Sequence, residues 1–179
     1  MQQPGIVPDT KNWTWVLERR CPECGFKAAS VDRAEFATLI RALGDDWTSL
    51  HGEGGIAAGR RRPNVWSPLE YACHVRDVFR KYNERVAVMC AEDDPLYANW
   101  DQDATAVEDH YDEQDPAVVV VELDAAASQL AERLDALREH EWSRPGRRSD
   151  GISFTIESLC RYMVHDPIHH LWDVTGERP

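Results

Sequence analysis

The sequence predicts an all-α fold, a four-helix bundle with one long crossover connection. Three observations lead there: four segments repeat apolar residues at helical spacing, one carries a full start signal, and strand signals are nearly absent.

The first thirty residues precede the bundle. Prolines at 4, 8 and 22, the Trp13-Thr14-Trp15 pair and the turn Cys21-Pro22-Glu23-Cys24 give no periodicity. Residues 1–30 therefore read as an irregular extension, and residues 31–179 as the bundle. In VDRAEFATLIRALGDDWTSL, Val31, Phe36, Leu39, Ile40, Leu43 and Trp47 recur at helical spacing. Asp32 and Glu35 stand near the start, where the helix dipole favours negative charge.

The glycine-rich HGEGGIAAGRRRPN breaks the pattern. The next helix opens at Ser67-Pro68-Leu69-Glu70, which combines a capping box with proline at the first helical position. Residues 93–115 are acidic and carry Tyr97, Trp100 and Tyr111. They read as the crossover, a loop with some short helix, and loops of that length are functional when ordered. A third helix follows in PAVVVVELDAAASQLAERLDALREHEW, where Leu123, Leu130, Leu134 and Leu137 lie among strong helix formers. RPGRRSDG reads as a turn. Ser153 or Asp150 can then cap a final helix that runs to about Val174, with Gly176 as its stop.

Composition narrows the function classes. The 179 residues, 42% hydrophobic, suit one domain with a sizeable core. Twenty basic against 32 acidic residues give a net charge of −12, which disfavours nucleic acid and anionic membranes; Arg60-Arg61-Arg62 is a local exception. No apolar run approaches the ~18 residues of a membrane span, and MQQPGIVPDTKNW lacks signal-peptide regions, so the expected location is the cytoplasm. Five cysteines, of which only Cys21 and Cys24 are close, fit reduced thiols better than a disulfide framework.

The chemistry concentrates in HDPIHHLWDV. His165 and His169 are four apart on one helix face and can turn their rings to one ion. His170 is rotated by about 100° from them, so it and Asp166 are disfavoured by register. Pro167, between the pair, removes an amide and costs ~3 kcal/mol in a plain helix. A kink that aims both imidazoles inward would offset this. His74 in the second helix is available as a third ligand, or is a satisfied core residue. Cys21-x-x-Cys24 is half of a zinc knuckle with no second close cysteine pair. It reads as a structural turn, a redox dithiol or half of a zinc site completed across a homodimer.

WSPLEYACHVRD, Trp66 to Asp77, matches the pattern W-S-x-x-E-x-x-x-H-x-x-D, and with the final H-x-x-x-H it resembles the DinB-like superfamily of bacterial metal-binding four-helix bundles. The nearest-looking branch is actinobacterial. The resemblance covers most of the chain and implies a divalent ion, zinc or nickel, held by His74, His165 and His169. It also implies a thiol S-transferase, with mycothiol or a similar small thiol and an electrophile as partners. Three imidazoles leave a coordination position open, and a thiol bound there would ionise near neutral pH. Asp77 and Asp173 lie on the faces expected of carboxylates that orient the ligating histidines, or are helix-surface charges. No catalytic residue is singled out. The alternatives are a non-catalytic, metal-stabilised stress or small-ligand-binding protein, and a hydrolase in which the ion brings a water's pKa to ~7.

Overall fold

The computed structural model describes residues 6–8, 12–52 and 56–179. Pro4, part of the expected extension and the centre of the glycine-rich break lie outside the described residues.

Four helices form the bundle: α1 (Phe36–Ser49), α2 (Pro68–Ala91), α4 (Pro116–Asp135) and α5 (Ile156–Thr175). A short helix, α3 (Gln102–Glu108), sits in the crossover. The main packing runs α1 on α4 and α5, and α2 on the same two, so the sequence neighbours α1 and α2 lie across the bundle's diagonal. Small residues allow the closest approach. A Cβ on Gly44 of α1 would stand 2.9 Å from the Cβ of Ala127 in α4.

The capping chemistry explains the helix starts. Asp32 accepts from the Ala34 amide and Glu35 reaches back to the Asp32 amide, closing a box ahead of α1 through a 3-10 turn, Arg33–Glu35. At α2, Ser67 Oγ accepts from the Glu70 amide and Glu70 accepts from the Ser67 amide at 2.7 Å. The Glu70 carboxylate, almost fully buried, also receives the Arg60 guanidinium through two nitrogens. Arg61 donates to the Val174 carbonyl at 2.9 Å. Two of the three arginines thus tie the loop after α1 to α2 and α5, which is a structural use of that basic run.

Two expectations change. Strand is present: β1 (Leu96–Tyr97) pairs parallel to β2 (Pro145–Arg148), which pairs antiparallel to β3 (Ser153–Thr155). This small sheet joins the crossover to the α4–α5 connection, and it takes Ser153 into a strand. The cap of α5 is therefore Thr155, whose side chain accepts from the Ser158 amide. The third helix also stops earlier than its sequence pattern, at Asp135, and a separate 3-10 turn covers Glu139–Ser143.

Tyr111 pins the crossover. It is fully buried and its hydroxyl donates to Asp77 at 2.6 Å. The extension is pinned as well: a 3-10 turn, Trp13–Leu17, and the Cys21–Cys24 turn both lie on the α5 side. Pro167 does not break α5, which continues to the left-handed Gly176. The Pro167 carbonyl accepts from the buried Trp47 indole at 3.1 Å.

Candidate functional site

α5 carries two overlapping pairs four residues apart, 165/169 and 166/170, which are rotated from one another by about 100°. Each pair faces a different neighbour, and two clusters of ligand-capable atoms result, each with all its atoms within 4.8 Å of one another.

The first cluster joins α2 to α5. His74 Nε2 lies 3.0 Å from Asp166 Oδ1, and His170 Nε2 lies 3.5 Å from the same oxygen. His74 is fully buried. Its Nδ1 has no hydrogen-bond partner among the described residues, so the ring's polar contact is made at the cluster. Trp100 from the crossover stacks on it, with centroids 5.3 Å apart and planes within 11°; Trp66 stands at 5.2 Å. Behind His170, Asp173 Oδ2 pairs with Nδ1 at 2.8 Å, which leaves Nε2 to face Asp166. Burial alone would raise the Asp166 pKa, but the imidazoles of His74, His170 and His165 outweigh it and hold the carboxyl well below its usual range.

This donor set fits a divalent cation. Nitrogen and oxygen ligands at about 2.1 Å from a zinc-sized ion stand about 3.0–3.4 Å apart, close to the spacings seen here. Two imidazoles and one carboxylate leave coordination positions open. Beside His170 lies a cavity of about 310 Å³ lined by Trp13, Trp66, Tyr71 and Gln102, among others.

The second cluster joins α5 to the extension. Cys24 Sγ lies 3.8 Å from His165 Nε2, and Cys21 Sγ lies 3.7 Å from His169 Nδ1; all four residues are buried. His169 Nε2 is 3.4 Å from the Glu23 carboxylate. Trp13 packs on both rings, at 5.2 and 5.1 Å. Burial, reinforced by the neighbouring imidazoles, lowers the His165 pKa to about 4 and also lowers that of His169, so both rings are neutral.

The expected ligand set of His74, His165 and His169 is thus divided: His165 and His169 stay together, whereas His74 meets Asp166 and His170. Asp166 and His170, disfavoured by register, form the side of α5 that faces α2. Asp173 does orient a histidine, but primarily His170; its distance to His169 Nε2 is 3.9 Å. Asp77 is engaged elsewhere. It accepts from Tyr111 and from both Arg76 and Arg80, and these contacts, outweighing burial, keep its pKa low. Its part is to hold the crossover that delivers Trp100. Cys21 and Cys24 find partners within the same chain, with sequence separations of 148 and 141 residues that no local motif could signal.

Comparison with known proteins follows the same outline. The model of the DinB superfamily matches residues 57–174. Among solved structures, YfiT from Bacillus subtilis, described as a probable metal-dependent hydrolase with an unusual four-helix bundle topology, superposes with a TM-score of 0.71. The two share 16% identity, over 82% of this chain and 87% of that one. No curated protein matches the chain.

Proposed function

The chain belongs to the DinB superfamily, and from that membership we propose that it is a metal-dependent enzyme whose catalytic ion is held by His74, Asp166 and His170. One observation carries the reading: three ligand atoms from two bundle helices converge, and one of the three residues, His170, lines an aromatic-walled cavity. A divalent cation there would act as a Lewis acid and lower the pKa of a thiol or water ligand.

The chain's own residues supply the rest. Asp173 fixes the His170 ring, Asp166 stays ionised among imidazoles, and Trp100 and Trp66 shield His74 from water. Trp13, Tyr71 and Gln102 offer a mixed apolar and polar wall to a small substrate. We read the reaction as transfer to an electrophile from a low-molecular-weight thiol of the mycothiol type, with zinc or nickel as the ion. The resemblance of the Trp66–Asp77 motif supports this, and a reducing cytoplasm suits it.

Hydrolysis is the second reading. Two histidines and a carboxylate are the ligands of several hydrolytic zinc sites, and the description of the YfiT structure points the same way.

The test incubates metal-loaded protein with a small α-halo ester, with and without glutathione or mycothiol, and follows separately the thioether formed when the thiol displaces halide and the acid formed when water cleaves the ester. Thiol-dependent thioether formation that is lost in His170→Ala supports transfer. Thiol-independent acid formation lost in the same variant supports hydrolysis. Turnover that survives metal removal overturns both.

A further inference from the structure

We propose that Cys21, Cys24, His165 and His169 form a second, closed zinc site that fastens the N-terminal extension to α5, separate from the catalytic ion proposed above.

The spacing is the first argument. In a tetrahedral site with Zn–S of about 2.3 Å and Zn–N of about 2.05 Å, a sulfur and a nitrogen ligand stand about 3.6 Å apart. The two sulfur–nitrogen distances, 3.7 and 3.8 Å, agree with that edge, and all four ligand atoms lie within 4.8 Å of one another. Weak thiol–imidazole hydrogen bonds would account for either contact alone. They do not account for two such pairs converging, buried, from segments more than 140 residues apart.

The turn itself is the second argument. Cys21-Pro22-Glu23-Cys24-Gly25 closes through Gly25 N to Cys21 O at 2.9 Å and Cys21 N to Phe26 O at 2.8 Å. Gly25 takes φ +83°, which residues with a Cβ rarely adopt.

The third is the Glu23 carboxylate on the far nitrogen of His169, 3.4 Å from Nε2. With Nδ1 turned to Cys21, this is the carboxylate–histidine–metal arrangement. Zinc binding would release the two thiol protons and leave two thiolates and two neutral imidazoles, a complete four-ligand set without an open position. Such sites stabilise folds. Here the fixed segment also carries Trp13, which lines the cavity beside His170, so the zinc would hold part of the substrate wall in place.

The experiment uses full-length, untagged protein: metal content by elemental analysis, then the absorption spectrum after growth with cobalt. The wild type should contain about two metal equivalents per chain and show a near-ultraviolet thiolate-to-cobalt charge-transfer band. His74→Ala should lose about one equivalent and keep the band. Cys24→Ser should lose the band and about one equivalent. A cobalt-loaded wild type without a thiolate band overturns the proposal, whether or not the serine variant folds. So does a Cys24→Ser protein with undiminished metal. Loss of catalysis in His74→Ala with the band intact bears only on the catalytic ion, so the two readings fail separately.

Discussion

Asp173 steadies His170 from behind, its Oδ2 2.8 Å from His170 Nδ1, while His170 Nε2 faces Asp166. Asp173 is thus a positioning residue: the carboxylate selects the tautomer whose free nitrogen meets the cluster. Asp173→Asn should weaken metal affinity at this centre by about 10–100-fold, the usual cost of losing an outer-shell partner. Competition with a chromophoric chelator measures it, and an unchanged affinity would remove Asp173 from the site.

Asp166 is the hub of the cluster, since both His74 and His170 approach its Oδ1. Asp166→Asn keeps the shape but removes the anionic ligand. Metal-dependent turnover should fall to background while helical circular dichroism is retained. Equal turnover in the variant and the wild type would show that the carboxylate is dispensable.

Glu70 ties the start of α2 to Arg60. Burial opposes its ionisation, but hydrogen bonds from Arg60 and Ser67 win and its pKa lies below the usual 4.5. A depressed carboxyl contributes stability above its unfolded pKa and loses it as pH falls through the folded value. Glu70→Gln should therefore cost about 2–3 kcal/mol at neutral pH. The gap between wild type and variant should narrow below pH 4.5. Urea unfolding at a series of pH values provides the check.

Gly44 permits the contact of α1 with α4. Gly44→Ala would gain up to about 1 kcal/mol of helix propensity, but its Cβ meets Ala127 Cβ at 2.9 Å, an overlap expected to cost about 1–3 kcal/mol. Net destabilisation is expected. Ala127→Gly in the same chain should relieve the overlap, so a double-mutant cycle should show favourable coupling between the two changes.

The sequence displayed the helices well because their signals are local. Ser67 and Glu70 form the capping box their spacing announces, and Gly176 stops α5 as its type suggests. The small sheet was hidden because its strands have two to four residues, and Pro145-Gly146-Arg147-Arg148 resembles a turn in composition. The site was half legible. Spacing of four identified a ligand pair on α5, but HDPIHH contains two such pairs, and only tertiary packing decides that Asp166 and His170 face His74 while His165 and His169 face the extension. The partners of Cys21 and Cys24 lay beyond any local pattern.

The diagonal placement of α1 and α2 bears on how the chain finds its fold. The three connections between bundle helices span residues 50–67, 92–115 and 136–155, so no two of these helices are joined as a short hairpin. The packing of α1 on α4 and of α2 on α5 must instead close loops of many tens of residues before any contact compensates the lost chain entropy. In stopped-flow experiments, refolding should be slower than for an up-and-down bundle of similar length and stability.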